Sequence, residues 1–185
     1  MSAEAYFTAL LARFEQEAQR LNALDAAIGD GDHGSTMLRG LNRAAAMGAG
    51  QRARGFMRAS GGASGTLFGL VLHEIEQHLD AGADLGAGLA RAEERICDLG
   101  RVRPGDKSMI DALSPAVAAL RKGAGLPGAI AAAQAGRDAT VAMKARRGRA
   151  QYVEGAGEGH IDPGAVSLAI LLECLEAQAA EGGSK

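Results

Sequence analysis

Apolar residues along this chain recur at every third or fourth position and nowhere alternate with polar ones. That confines the chain to helices packed on helices. Phe7, Leu10, Leu11, Phe14, Ala18 and Leu21 mark one face of a first helix over residues 3–27. Phe68, Leu72, Ile75 and Leu79 mark the apolar face of another, starting near Ser64, with His73, Glu74, Glu76 and Gln77 on its wetter side. Further helices are predicted over 35–47, 51–60, 88–99, 108–121, 127–146 and 163–180. The last opens on Pro163, a favourable first position, with Asp162 as its N-cap. The predicted fold is all-α, a single domain of seven or eight helices over residues 1–185, with Glu181–Lys185 as a frayed tail.

Composition limits how such helices pack. Forty of the 185 residues are alanine and 27 are glycine, aromatics make up 3% and tryptophan is absent. The core must therefore come from close approach across alanine faces rather than from large rings. Glycine exceeds its usual share of about 7% without a Gly-X-Y period, which excludes collagen. A net charge of −2 leaves no overall basic footprint for nucleic acid or an anionic membrane, and only Lys144, Arg146, Arg147 and Arg149 cluster. Cys97 and Cys174 lack CxxC spacing and read as buried free thiols, which fits a reducing cytoplasm. Met1–Phe14 has no basic leader, and the longest uncharged stretches, 59–72 and 123–136, fall short of the ~18–20 residues of a membrane span. The expectation is a soluble cytoplasmic protein with neither a nucleic-acid nor a membrane partner.

The surplus glycine concentrates in breaks between helices, where chemistry is expected. The first break follows Asp25, in the last turn of the first helix, and carries Asp30 and Asp32 between Gly29, Gly31 and Gly34. Three clustered carboxylates repel one another unless a cation neutralises them, and an all-oxygen donor set favours a hard ion such as Mg²⁺. Gly34-Ser35-Thr36 then opens a helix, whose free amides suit phosphate. Gly29-x-Gly31-x-x-Gly34 spells a dinucleotide fingerprint but follows a helix instead of a strand, so it fails its context. Counted from Asp30 as an EF-hand, loop positions 5, 6 and 12 are Gly34, Ser35 and Leu41, which fails as well. A solvated Asp-Gly turn accounts for Asp30-Gly31 alone, but not for Asp25, Asp32, His33 and the helix start beside it.

A second break, Ser60-Gly61-Gly62-Ala63-Ser64-Gly65-Thr66, offers close backbone approach and two hydroxyls, Ser64 and Thr66. Gly-Lys occurs nowhere, so there is no Walker A loop. The third, Pro104-Gly105-Asp106-Lys107-Ser108-Met109, also reads as a turn with Asp or Ser as N-cap. The fourth runs from Arg147-Gly148-Arg149-Ala150 to His160-Ile161-Asp162-Pro163-Gly164, and an arginine in such a loop suits phosphate. His33 and His160 sit in breaks, whereas His73 and His78 read as helix-surface residues.

Taken together these segments resemble the nucleotide-binding L subunit of dihydroxyacetone kinase. The resemblance rests on Leu24-Asp25-x-x-Ile28-Gly29-Asp30-Gly31-Asp32-His33-Gly34, Gly61-Gly62-Ala63-Ser64-Gly65, Gly105-Asp106-Lys107-Ser108-Met109, Gly148-Arg149-Ala150 and Asp162-Pro163-Gly164. It implies an antiparallel barrel of eight helices with a nucleotide pocket at one end. It implies Asp25, Asp30 and Asp32 as ligands of two Mg²⁺ ions, and ADP or ATP contacted by His33, Gly34, Ser35, Thr36, Ala63, Ser64, Gly100, Met109, Arg149, Asp162, Pro163 and Gly164. Gly100 is placed by its spacing from Met109.

The implied activity is phosphoryl transfer from Mg²⁺-bound nucleotide to dihydroxyacetone or a similar small hydroxyketone. With 185 residues the substrate is expected on a separate kinase subunit, and a phosphohistidine carrier of the phosphotransferase system is expected to recharge ADP in place. A general base is left to the partner, and a homodimer is compatible with the sequence. The alternatives are an ATP-dependent subunit for another small ketose and a nucleotide-binding regulatory module.

Overall fold

The computed structural model describes residues 2–182. Eight α-helices follow one another: α1 (Ala3–Ala26), α2 (His33–Ala45), α3 (Arg52–Ser60), α4 (Gly62–Ala81), α5 (Leu85–Gly100), α6 (Ile110–Arg121), α7 (Gly125–Ala139) and α8 (Pro163–Gly182). Among the described residues there is no strand, and no helix is long and apolar enough to cross a membrane. Each helix packs on the next, and α8 packs on α1, so the antiparallel helices close into a ring. In such a ring alternate connections fall at the same end. Residues 27–32, Gly61, 101–109 and 140–162 therefore share one mouth, while 46–51, 82–84 and 122–124 lie at the other.

The few rings are all spent on the core except one. Tyr6, Phe7, Phe14, Phe56 and Phe68 are fully buried, and only Tyr152 is exposed, at 84%. Elsewhere the helices meet across glycine. A Cβ on Gly34 would lie 2.2 Å from the Ala18 carbonyl oxygen, and one on Gly40 would lie 2.5 Å from the Phe56 ring. Gly136 shows why a proline is tolerated inside α6. Pro115 has no N–H to offer the carbonyl of Asp111, and α7 passes so close there that a Cβ on Gly136 would sit 2.0 Å from that oxygen. Much of the glycine is thus helix-packing glycine, beyond what the breaks required.

Three expectations need correction. The helix predicted over 127–146 stops at Ala139 in a 3-10 turn, Thr140–Ala142. Its end is fixed because Thr140 Oγ1 donates back to the Arg137 carbonyl while the Thr140 carbonyl accepts from Lys107 Nζ. The long loop after it holds two further 3-10 turns, Arg149–Tyr152 and Glu154–Gly157.

Glu74 and Glu76 are buried, not on a wet face. Glu76, 0% exposed, accepts the amides of Arg52 (2.9 Å) and Ala53 (3.1 Å), capping α3 from a neighbouring helix because Gln51 makes no side-chain cap. Arg52 Nη1 lies 3.8 Å from the same carboxylate. Glu74 meets Arg91 at 2.6 Å.

Cys97 and Cys174 are free but only half-buried. His73 is exposed and His78 half-buried, its Nδ1 2.7 Å from the Ala83 carbonyl. The end of the predicted tail, from 183 on, lies outside the described residues.

Removing a buried carboxylate that holds two amides and an arginine should be costly. Glu76→Ala should lower stability by about 3–5 kcal/mol in urea unfolding, whereas exposed Glu15→Ala should stay within about 0.5 kcal/mol of the parent. Equal effects would contradict the remote cap.

Candidate functional site

The four connections at one mouth enclose a cavity of about 530 Å³, within the range of roughly 300–1,000 Å³ typical of small-molecule sites. Its acidic corner is built by Asp25. Gly29 allows the chain to turn back over that carboxylate, since a Cβ there would lie 2.4 Å from Asp25 Oδ1. Asp25 Oδ2 then accepts the amides of Asp32 (2.9 Å) and His33 (3.2 Å), so the last turn of α1 caps the first turn of α2. The result is a carboxylate oxygen from each of Asp25, Asp30 and Asp32, all within 4.8 Å of one another. Such a set of oxygens fits a hard divalent cation, and Asp30 and Asp32 are exposed to the cavity side where further ligands could enter. The guanidinium of Arg149 reaches across the mouth to Asp30.

Of the residues expected to contact nucleotide, all but Gly34 and Ser35 line this one cavity together with the three aspartates. Gly34 is turned into the contact with Ala18 described above. Ser35 faces the outer side, where its amide donates to Asn22 Oδ1 (3.0 Å) and its hydroxyl accepts from Asn22 Nδ2 (2.9 Å). Three of the amides at the start of α2 are engaged within the protein. Those of His33, Ser35 and Thr36 go to Asp25, Asn22 and the Asp32 carbonyl. Thr36 does line the cavity, with its hydroxyl accepting from Arg39 at 3.1 Å. At the second break Ala63 and Ser64 line the wall, whereas Thr66 turns its hydroxyl to the Gly62 carbonyl.

Two side chains in the walls have protonation states set by burial. His33, 7% exposed, packs against Phe68 and pairs with Ser167 Oγ at 2.8 Å. Burial pulls its imidazole below the usual range, outweighing the nearby Asp25 and Asp32, so the ring is neutral at pH 7. Asp162, where α8 begins, caps that helix through the Ala165 amide (2.7 Å). Burial raises its carboxyl to about 7, against the opposing pull of that amide and of Lys107. His160 is exposed and does not line the cavity; it contributes its carbonyl, to Lys107.

The fold also brings here several residues whose role no sequence signal marks. Arg39 lines the cavity and donates to the carbonyls of Ala59 (3.0 Å) and Ser60 (2.9 Å), tying α2 to the glycine turn before α4. Lys107 and Arg147 also line it. The turn bearing Lys107 is knit by two carboxylates, Asp106 accepting the Arg103 amide and Asp111 the Ser108 amide. Of the two N-caps expected of this break, Ser108 Oγ accepts the Ile110 amide at 3.3 Å where α6 begins, whereas Asp106 turns back to Arg103.

Against known proteins, a DAK2 domain matches residues 27–177. The ADP-binding subunit DhaL of the PEP-dependent dihydroxyacetone kinase of Escherichia coli is 31% identical over 91% of this chain and 91% of its own. The corresponding subunit of dihydroxyacetone kinase 1 of Listeria innocua is 34% identical over 88% of each. The crystal structure of the dihydroxyacetone kinase from C. freundii in complex with AMP-PNP and Mg²⁺ superposes with a TM-score of 0.72 at 27% identity. That match covers 95% of this chain and 33% of the larger one.

The raised carboxyl of Asp162 has a signed consequence. Its protonated form is favoured in the folded state, so the stability it contributes is full at acid pH and is lost as pH rises from the ordinary 3.8 through about 7. Asp162→Asn keeps a capping side chain and removes the titration. Its melting temperature should fall less than the parent's between pH 5 and about 8, and parallel curves would contradict the assignment.

Proposed function

Because the chain belongs to the DAK2-domain family, we propose that it is the nucleotide-binding subunit of a dihydroxyacetone kinase, passing a phosphoryl group from bound nucleotide to a small hydroxyketone held by a separate subunit. The observation that carries this reading is the convergence of Asp25, Asp30, Asp32 and Arg149 on the wall of one cavity. Asp25, Asp30 and Asp32 would hold Mg²⁺, two ions in this reading, and the metal would supply charge neutralisation at the nucleotide phosphates.

The chain's own contribution is positioning. Asp25 is fixed by the amides it accepts, so the acidic corner is set before ligand arrives. Arg149 brings a cation to the same corner from the opposite loop, where charge builds up during transfer. Ala63, Ser64, Gly100, Met109, Pro163 and Gly164 form the walls that would seat the rest of the nucleotide. Neutral His33, braced by Ser167 and Phe68, adds no charge to the corner. In the transfer the phosphorus–oxygen bond to the donor breaks as one forms to the substrate hydroxyl, whose proton passes to a base on the substrate subunit.

The coverage of the two DhaL relatives, near nine-tenths in both directions, favours a donor relay in which ADP stays bound and a phosphohistidine carrier recharges it. The chain loaded with ADP and mixed with a substrate subunit, phosphorylated carrier and dihydroxyacetone should turn over repeatedly. ATP in place of the carrier should support about one turnover, and steady turnover on ATP alone would instead place the chain with ATP-dependent kinases. Asp30→Ala should cut product formation by roughly two orders of magnitude or more with helicity unchanged. Undiminished transfer would remove the metal assignment, and ADP binding without any transfer would leave a regulatory nucleotide module.

A further inference from the structure

Lys107 lines the mouth beside Arg39 and Arg147 and is not used by this reading. The residue is 3% exposed although it lies in a connecting turn, and its backbone holds φ +62°, a left-handed value that glycine would take at less cost. A lysine kept under both penalties needs a task for its ammonium. Nζ donates to the carbonyl of Thr140 at 2.5 Å and to the carbonyl of His160. Those carbonyls stand at the two ends of the loop that carries Arg149, one just after α7 and one just before α8.

The rest of the stem agrees with a closed loop. The Gly159 amide donates to the Val141 carbonyl at 2.8 Å and the Ala145 amide to the Ala156 carbonyl at 2.8 Å. Asp162 N donates to Thr140 Oγ1 at 3.0 Å. Gly157 packs on the lysine stem, where a Cβ would lie 3.3 Å from Lys107 Cε. Nearer its tip the loop is tied by the Arg146 amide to the Asp106 carbonyl at 3.1 Å and by Arg147 Nε to the Arg101 carbonyl at 2.9 Å. Joining the ends of a loop of this length has an entropic cost, and a buried ammonium shared by both ends offsets it without covering the basic tip.

We propose that Lys107 is a positioning residue: its ammonium clamps the stem of the 141–159 loop and thereby holds Arg149 over the acidic corner. The role in nucleotide binding rests on the proposed function, whereas the clamp itself does not. The groups facing Nζ are the carbonyls of Thr140 and His160, with Asp111, Glu158 and Asp162 as the charges around it.

Two variants separate the ammonium from the backbone turn. Lys107→Met keeps the stem length without donors, and Lys107→Gly relieves the positive φ while removing the side chain. In both, trypsin should nick the loop at Arg146, Arg147 or Arg149 roughly tenfold faster than in the parent with far-UV dichroism unchanged, and Mg²⁺-ADP affinity should fall about tenfold. Lys107→Arg, which restores charge and donors, should recover protection. Arg149→Ala should weaken binding in the parent yet add nothing in the Lys107→Met background. An additive loss would mean that Lys107 does not act through Arg149. Parental nicking rates in Lys107→Met would overturn the clamp. No Mg²⁺-ADP binding by the parent chain would defeat the nucleotide reading and leave nicking to decide the clamp. Should the variants lose helicity, hydrogen exchange on the parent decides: the Ala145 and Gly159 amides are expected to be protected, and exchange at free-peptide rates would overturn the closed stem.

Discussion

The Asp25 carboxylate belongs to two structural tasks at once, and the mouth of the ring is arranged around that fact. It ends α1 and accepts the first amides of α2 at 2.9 and 3.2 Å, so the angle between those helices and the course of 27–32 follow from it. The same bonds draw Asp30 and Asp32 in beside it, until three carboxylate oxygens lie within 4.8 Å. A capping interaction is worth about 1 kcal/mol in an ordinary protein. Here it also holds an anion in place against two others, which makes the corner ready for a cation before any ligand enters.

The remaining walls follow from ring topology. Antiparallel helices return every second connection to the same end, so segments as distant as Asp25 and Gly164 become neighbours around one cavity. Small residues make the ring tight enough for this. Gly34 against Ala18 and Gly136 against Asp111 remove side chains where helices must nearly touch. Each connection is then fixed by a polar group aimed inward from elsewhere: Arg39 holds the turn before α4, Asp111 holds the turn before α6, and Lys107 joins the ends of the last loop.

Which of these features the sequence revealed depends on the range of the forces involved. Helical faces such as Phe7–Leu21 are local, and the three-and-four spacing located them to within a few residues. The close aspartate spacings likewise put the acidic corner within a single turn. Burial of Glu76 was not legible, because the amides that solvate it belong to α3, and a charged residue on an amphipathic helix otherwise reads as wet. The early stop of α7 was hidden for the same reason: it depends on Lys107, more than thirty positions away. The packing of Gly34 on Ala18 and the bonds of Ser35 to Asn22 were not legible either, because both depend on how α1 lies against α2.

The proposed function requires the acidic corner to be a metal site that serves nucleotide. The most direct measurement is anomalous diffraction from crystals grown with ADP and Mn²⁺ in place of Mg²⁺. Anomalous density is predicted among the carboxylates of Asp25, Asp30 and Asp32, adjoining the nucleotide phosphates. Nucleotide bound in the cavity with no metal at those three residues, or metal only elsewhere on the chain, would contradict it.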